Sequence, residues 1–240
     1  GLSLSAAYKM IDKIDTKIEE DIDYAFDNKY GYLTACPTNL GTGMRASAML
    51  HLPGLVLSDQ VNKVIQAVNK IGLAVRGLYG EGTEALGNLF QVSNQHTLGE
   101  PENEIIVRLE KVIKQIIEHE ENAREKLYDE NRTTLDDKIG RSYAILLYGH
   151  IISTKEALDL LSMLRLGVDL GYFSDDLRGL IDVLFMEIQP AHLQVYANRK
   201  LNAEERDCLR AEIMRDRLKN LPEPSKFYKN SPNEPPLEED

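Results

Sequence analysis

The sequence contains no tryptophan, only two cysteines and few aromatic residues, which make up 7% of its 240 positions. It has no run approaching the roughly 18 consecutive apolar residues of a membrane helix, and no basic stretch followed by an apolar one, as in a signal peptide. Cys36 and Cys208 favour free thiols in a cytoplasmic protein over a disulfide framework. No cysteine and histidine share metal-ligand spacing, so we predict no metal site.

An excess of basic charge is also absent. The formal net charge is −11 and the isoelectric point is about 5.0, which argues against non-specific binding to nucleic acid. Hydrophobic residues make up 42% of the chain. That proportion is enough to bury the core of one large domain or of two modest ones.

Hydrophobic periodicity divides the chain near residue 128. Before that point, helical spacing alternates with short apolar runs, which predicts an α+β part; after it, only helical spacing appears, which predicts an all-α part. We therefore predict domains at 1–128 and 129–220. The remaining stretch, 221–240, is rich in proline and acidic residues and is predicted to be a disordered tail.

Individual elements follow from the same periodicity. Helices are predicted over 5–26, 56–71, 102–128, 132–149, 153–169, 174–188, 190–198 and 202–219. Strands are predicted at about 31–36, 43–51, 73–75 and 89–93. Ser58 is a candidate cap at the start of the second helix, and Gly72 is expected to end that helix.

The most informative stretch runs from Cys36 to Arg45. Pro37, Asn39 and Gly41 mark sharp turns and close backbone approach, and the backbone N–H groups of such a loop can bind an anion. Taken alone, the stretch is most simply a hairpin loop with a buried cysteine.

The run CPTNLGT, Cys36 to Thr42, resembles the signature of the ATP:guanidino phosphotransferases. The longer runs GYLTACPTNLGTGMRASAMLHLPGL and GLYGEGTEALGN are more similar to one branch, the bacterial protein arginine kinases. The resemblance implies an incomplete antiparallel sheet flanked by helices, followed by a helical dimerisation domain. It also implies ATP and Mg²⁺ as cofactors, with the metal held mainly through the nucleotide.

The resemblance assigns roles to four residues. Arg45 and Arg76 match phosphate-binding arginines, Glu81 matches a catalytic carboxylate, and Cys36 matches a reactive cysteine held as a thiolate. These types suit the reaction, because cations stabilise transferring phosphate and carboxylates pair with guanidinium groups. Without the resemblance, the three charged side chains are more simply interpreted as solvated. Cys36 is then more simply interpreted as a small buried hydrophobic residue.

Two departures distinguish the branches. Metabolic arginine kinases have histidines where this chain has Met49 and Gly82, so a kinase acting on free arginine is disfavoured.

A second motif, Arg206-Asp207-x-x-Arg210-Ala, resembles an allosteric phosphoarginine-binding pocket of the protein arginine kinases. Arg206 and Arg210 are four residues apart and are expected on one helical face, where they could clamp a phosphate. The alternative is an exposed helix with ordinary ion pairs.

The leading hypothesis is transfer of the ATP γ-phosphoryl group to arginine side chains of proteins, marking them for Clp-type degradation during bacterial stress. The resemblance further implies a homodimer, an activator protein, a heat-shock repressor as target and a Clp unfoldase. The chain resembles the C-terminal two thirds of such kinases, so we expect it to be inefficient alone. The alternative is a catalytically incomplete, dimeric phosphoarginine-binding scaffold.

Overall fold

The computed structural model describes residues 1–77 and 85–225. The chain forms two compact units, the first ending at Glu125 and the second beginning at Lys126. That division lies near the change in periodicity at residue 128. Each unit has a hydrophobic core of its own.

The first unit begins with helix α1 and contains five strands and three further helices in its described part. The elements are α1 (Leu4–Glu19), β1 (Phe26–Asp27), β2 (Gly31–Tyr32), β3 (Ser47–His51), α2 (Pro53–Leu57), α3 (Val61–Lys70), β4 (Leu73–Gly77), β5 (Leu89–Asn94) and α4 (Glu102–Glu130). Helix α4 continues through the boundary into the second unit.

Strands β3, β5 and β4 form an antiparallel sheet in that order, and β1 pairs with β2 in a separate small hairpin. Side chains alternate between the two faces of a strand. On β5, Phe90 and Val92 face the core, where they join Val68 of α3 and Leu109 of α4. The intervening polar residues therefore lie on the opposite face.

A buried carboxylate stabilises the start of α2. Glu120 of α4 is 4% exposed, and its two oxygens accept from the backbone N–H groups of Gly54 and Leu55 at 2.8 and 2.9 Å. Arg124 donates to the same carboxylate at 2.6 Å. A Cβ on Gly54 would lie 2.9 Å from Arg124 Cγ and 3.0 Å from Glu120 Oε1, so this close approach requires glycine.

Two predicted helices have different boundaries in the structure. The helix predicted to run to Phe26 ends at Glu19, where acidic residues at positions 19–21 oppose the partial negative charge of the helix end. The helix predicted over 56–71 is two helices, because Asp59 has a φ of 57° and interrupts the backbone. Ser58 therefore follows α2 instead of capping the start of a single helix.

The second unit is helical throughout its described part, with α5 (Arg132–Tyr148), α6 (Thr154–Asp169), α7 (Leu177–Glu187), α8 (Pro190–Tyr196) and α9 (Ala203–Leu218). Its core is built from fully buried aliphatic side chains of these helices, including Ile139, Leu161, Ile181, Leu193 and Met214. Helix α9 begins with a capping box, in which Asn202 and Glu205 each accept from the other's backbone N–H.

The predicted fold class is confirmed: small antiparallel sheets flanked by helices precede an all-helical part.

The predicted tail is only partly described. Ser225 N–H donates to Tyr172 O at 3.0 Å, and Tyr143 donates to Leu221 O at 3.2 Å. Residues 226–240 lie outside the described residues. Within 1–77 and 85–225, no helix has both the length and the apolar character needed to cross a membrane, and no cluster of His, Cys, Asp and Glu is arranged to hold a metal ion.

Candidate active site

The loop from Cys36 to Arg45 places the Cys36 thiol at the surface. Pro37–Asn39 forms a short 3₁₀ turn immediately after Cys36, and the thiol is exposed. Its Sγ lies 3.0 Å from Thr38 Oγ1. Hydrogen bonds from the Thr38 side chain and then from its backbone lower the pKa of Cys36, because donors stabilise the thiolate. The alternative of a buried cysteine is therefore wrong, because Cys36 is exposed.

A threonine beyond β5 anchors this loop. The hydroxyl of Thr97, which is 3% exposed, lies 2.8 Å from Leu40 O and 3.3 Å from Thr38 O. The N–H of Thr42 donates in return to Thr97 O at 3.3 Å. Gly41 makes this approach possible, because its φ is 110° and a Cβ there would lie 2.5 Å from Thr97 O.

Arg45 follows the loop and is bracketed by a buried asparagine. Ala46 N–H donates to Asn94 Oδ1 at 2.8 Å, and Asn94 Nδ2 donates to Met44 O at 3.0 Å. The exposed Arg45 side chain donates from one terminal nitrogen to Ser93 Oγ at 3.2 Å. The guanidinium is thus held at the surface with further donors available to a ligand.

Arg76 lies on the same polar sheet face as Arg45. It is exposed on β4 opposite Gln91 of β5, and Gln91 also pairs with Met49 of β3. Gln91 Nε2 donates to Ser47 Oγ at 3.0 Å. Ideal strand geometry, with spacings of about 4.8 Å and a rise of about 3.4 Å per residue continued two residues before β3, gives a Cα separation of roughly 17 Å between Arg45 and Arg76. Two extended arginine side chains can therefore approach one polyphosphate from opposite edges of the sheet.

The fourth predicted residue, Glu81, lies outside the described residues, as do Gly82 and the rest of 78–84. The structure therefore brings together Arg45 and Arg76 on one face, with Cys36 in the loop that leads to it. Two exposed guanidiniums, with hydroxyl and amide groups between them, can bind an anion. The thiol with a lowered pKa can instead pair with a cation in its thiolate form.

Three residues of β5 were not singled out by sequence analysis: Gln91, Ser93 and Asn94. The alternation of Phe90 and Val92 with polar residues indicates a polar face on this strand. It does not indicate which strands flank β5, so the pairing of these residues with Arg45 and Arg76 required the sheet register.

The second predicted cluster, on α9, has a different character. Arg210 is completely buried. Its guanidinium donates to Ile188 O at 3.1 Å, to Ile152 O at 2.7 Å, to Thr154 Oγ1 at 2.8 Å and to the Asp207 carboxylate. Four of its five N–H donors are therefore directed at protein acceptors.

Arg206 and Asp207 are half-buried. Arg206 donates to Leu201 O at 2.7 Å, whereas Arg210 points into the helical core. The two guanidiniums do not form one open clamp, because Arg206 is partly exposed whereas Arg210, one turn further along α9, is fully buried. A cleft of about 780 Å³ beside α9 is lined by residues including Leu209, Ile213 and Arg215, and not by the three predicted residues. Their phosphoarginine-binding role stays a prediction.

Comparison with known proteins defines the class. Residues 1–123 match the family model described as ATP:guanido phosphotransferase, C-terminal catalytic domain. Residues 132–229 match the one described as Protein-arginine kinase McsB C-terminal domain. The chain belongs to the ATP:guanido phosphotransferase family.

Within that family, the chain is similar to bacterial protein-arginine kinases, which confirms the branch indicated by the sequence. The chain is 52% identical to the protein-arginine kinase of Geobacillus sp. (strain WCH70), over 91% of this chain and 60% of the relative. It is also 52% identical to that of Caldanaerobacter subterraneus subsp. tengcongensis, over 91% and 64%. The chain thus spans less than two thirds of the length of these relatives.

Solved structures of other guanidino kinases overlap with part of the chain. The duplicated taurocyamine kinase from Schistosoma mansoni, with bound transition-state-analogue components, is 34% identical with a TM-score of 0.45, covering 51% of this chain and 17% of that chain. Lombricine kinase is 32% identical with a TM-score of 0.38, covering 45% and 29%.

Proposed function

We propose that this chain carries part of the active site of a protein arginine kinase, which transfers the γ-phosphoryl group of ATP to arginine side chains of proteins. One observation supports this most directly: Arg45 and Arg76 are exposed on the same polar sheet face. The loop leading to Arg45 also carries Cys36, an exposed thiol with a lowered pKa.

In this proposal, Arg45 and Arg76 bind the phosphates and neutralise charge as the γ-phosphoryl group moves. The acceptor guanidinium has a pKa above about 12 and must lose a proton to become nucleophilic. The Cys36 thiolate pairs with that guanidinium and orients it. A guanidino nitrogen forms the new P–N bond, the bond to the β-phosphate oxygen breaks with its electrons leaving on ADP, and Glu81 accepts the proton.

Mg²⁺ would be held mainly through the nucleotide and would supply positive charge to the phosphates during transfer. The proposal includes a cytoplasmic homodimer acting on proteins with exposed arginine, helped by an activator protein. A heat-shock repressor is among its targets, and phosphoarginine marks clients for a Clp-type unfoldase. Arg206, Asp207 and Arg210 are proposed as an allosteric phosphoarginine pocket. Arg210 would contribute the one N–H donor that its four protein acceptors leave over.

The test combines ATP binding with phosphoryl transfer. Calorimetry with Mg·ATP measures the phosphate site, and γ-labelled ATP with an arginine-rich protein measures transfer to an acid-labile product. We expect Arg45→Ala and Arg76→Ala to weaken ATP binding and Glu81→Ala to abolish transfer, while the exposed Arg141→Ala behaves as wild type. Free arginine should fail as acceptor where the protein succeeds.

Two outcomes contradict the proposal. Equal ATP affinity in wild type, Arg45→Ala and Arg76→Ala would show that these two arginines do not bind the phosphates. Phosphoarginine binding without any ATP binding would favour the scaffold alternative.

A further inference from the structure

Asn94 makes contacts on both sides of Arg45. Its side-chain oxygen accepts from Ala46 N–H at 2.8 Å, and its side-chain nitrogen donates to Met44 O at 3.0 Å. The Asn94 backbone N–H also donates to Ala46 O at 3.3 Å. One buried side chain, 5% exposed, therefore fixes the backbone immediately before and immediately after Arg45.

The neighbouring residue, Ser93, acts on the other end of the same arginine. It is 1% exposed, and its Oγ accepts from an Arg45 terminal nitrogen at 3.2 Å. Arg45 remains exposed. Its backbone and its guanidinium are therefore both held by two consecutive residues of β5, while the rest of the guanidinium faces solvent.

We propose that Asn94 and Ser93 are positioning residues for Arg45, which hold its guanidinium in the orientation that binds phosphate before the nucleotide arrives. The inference rests on the proposed phosphate-binding role of Arg45 and extends it to two residues that do not touch the ligand. A long arginine side chain loses conformational freedom when it is ordered. Ordering it in the free protein reduces that loss on binding.

The Asn94 side chain also reaches the segment that precedes Thr97. Its Nδ2 lies within hydrogen-bond distance of His96 O, at 3.3 Å, and Thr97 follows directly. Within the loop and the residues that follow it, the Asn94 side chain bonds Met44 and Ala46, whereas Thr97 bonds Thr38 and Leu40. Loss of the Asn94 side chain should therefore disturb Arg45 and leave the environment of Cys36 unchanged.

The experiment is a double-mutant cycle between Asn94 and Arg45, read by calorimetry of the 240-residue chain with Mg·ATP. Removing a group that orients a ligand residue costs about ten- to a hundredfold in metal sites, and we expect roughly tenfold weaker binding for Asn94→Ala. In an Arg45→Ala background, the same change should alter affinity by less than about twofold. A full tenfold loss in both backgrounds would overturn the inference.

Further variants separate positioning from general damage. Ser93→Ala removes only the hydroxyl that holds the guanidinium, and we expect a smaller loss that also disappears in the Arg45→Ala background. Asn94→Asp keeps the acceptor for Ala46 N–H but loses the donor to Met44 O. Asn62→Ala, an exposed asparagine on α3, is the matched control and should bind as wild type. Alkylation of Cys36 should proceed at the wild-type rate in every Asn94 and Ser93 variant; a changed rate would contradict selective positioning.

Hydrogen exchange separates this inference from the proposed function. The Ala46 amide, which donates to Asn94, should exchange on the order of tenfold faster in Asn94→Ala and remain protected in Asn94→Asp. If the wild-type chain fails to bind Mg·ATP, the proposed function fails at this site. Exchange at the Ala46 amide still measures whether Asn94 holds the backbone beside Arg45. Unchanged exchange in Asn94→Ala would overturn the inference even then.

Discussion

The two arginine motifs of this chain both resemble phosphate-binding sites in sequence but differ in tertiary environment. Arg45 is exposed and donates one hydrogen bond to Ser93. Arg210 is completely buried and directs four N–H donors at Ile188, Ile152, Thr154 and Asp207. The first guanidinium is available to a ligand, whereas the second connects parts of its own helical unit.

This difference shows what a motif leaves open. A guanidinium has a fixed set of five donors, and a donor that satisfies a buried carbonyl is not free for a phosphate. Burying a charge without partners is costly, so the Arg210 contacts are needed for stability. The same residue type is therefore accessible to a ligand at an exposed position and contributes to stability at a buried one.

The largest effect is expected where the buried arginine is removed. Arg210→Ala leaves the carbonyls of Ile188 and Ile152 without their donor and Asp207 without its partner, so we expect a loss of about 3–5 kcal/mol in the free energy of unfolding. Arg206→Ala removes one hydrogen bond to Leu201 O and should cost only about 1 kcal/mol. Urea unfolding of both variants measures the contrast, and equal costs would contradict the structural role of Arg210.

A buried charge in the first unit gives a test by pH. Burial is the largest influence on Glu120 and raises its pKa above the ordinary value of 4.5, although Arg124 and the amides of Leu55 and Gly54 lower it. The folded chain then holds this proton more tightly than the unfolded chain. The associated stability is fully present below pH 4.5 and is lost as pH rises through the raised pKa.

Glu120→Gln cannot titrate, so the wild type should lose more stability than this variant as pH increases across that range. Unfolding free energies measured at a series of pH values give the difference. Glu121→Gln, an exposed neighbour on the same helix, leaves Glu120 in place and should keep the wild-type pH dependence. Parallel curves for wild type and Glu120→Gln would contradict the assignment.

The exposed arginine should show the opposite balance of effects from Arg210. Arg45→Ala is expected to weaken Mg·ATP binding by about 10- to 100-fold, since a hydrogen bond to a charged group contributes about 1.5–3 kcal/mol. The free energy of unfolding should change by less than about 0.5 kcal/mol. Calorimetry and urea unfolding measure the two quantities. Arg141→Ala, whose side chain is 74% exposed, is the control. Lost stability with unchanged ATP affinity would make Arg45 structural.

The smallest expected effect concerns the Cys36 thiol, in the loop that leads to Arg45. Thr38→Ala removes the hydroxyl that is the largest cause of the lowered Cys36 pKa, so the pH profile of alkylation should move to higher pH. The thiolate reacts in this assay, and its rate near neutral pH should fall severalfold. A Cys208→Ser background makes Cys36 the sole thiol, and Thr38→Ser should retain the wild-type profile. An alkylation profile that is the same in wild type and Thr38→Ala would contradict the role of the Thr38 hydroxyl in lowering the pKa of Cys36.

Much of the fold follows from local patterns. The helices of the second unit lie within a few residues of their predicted bounds, because their apolar stripes recur at helical spacing and their ends carry capping residues such as Ser153 and Asn202. The boundaries at 19 and 59 were missed. A patterned stripe alone does not reveal a single residue with positive φ, such as Asp59, or an acidic helix end.

The candidate site was predictable in its residue types and less so in its geometry. Cys36, Arg45 and Arg76 follow from motifs that are continuous in sequence. The support of Arg45 by Ser93 and Asn94 depends on strand pairing between positions almost fifty residues apart, and antiparallel register is a property of the whole sheet. Local spacing carries no information about such a pairing.

The sequence by itself determined the class of protein and the order of most of its elements, and it predicted candidate phosphate-binding residues, because these depend on short motifs and local periodicity. Only the tertiary structure decided which arginine is exposed. Arg45 reaches solvent because it precedes β3 on a sheet face covered by polar side chains, and Arg210 is enclosed because α9 packs this side chain against buried carbonyls. Exposure is set by what surrounds a residue in space, and that surrounding comes from distant parts of the chain.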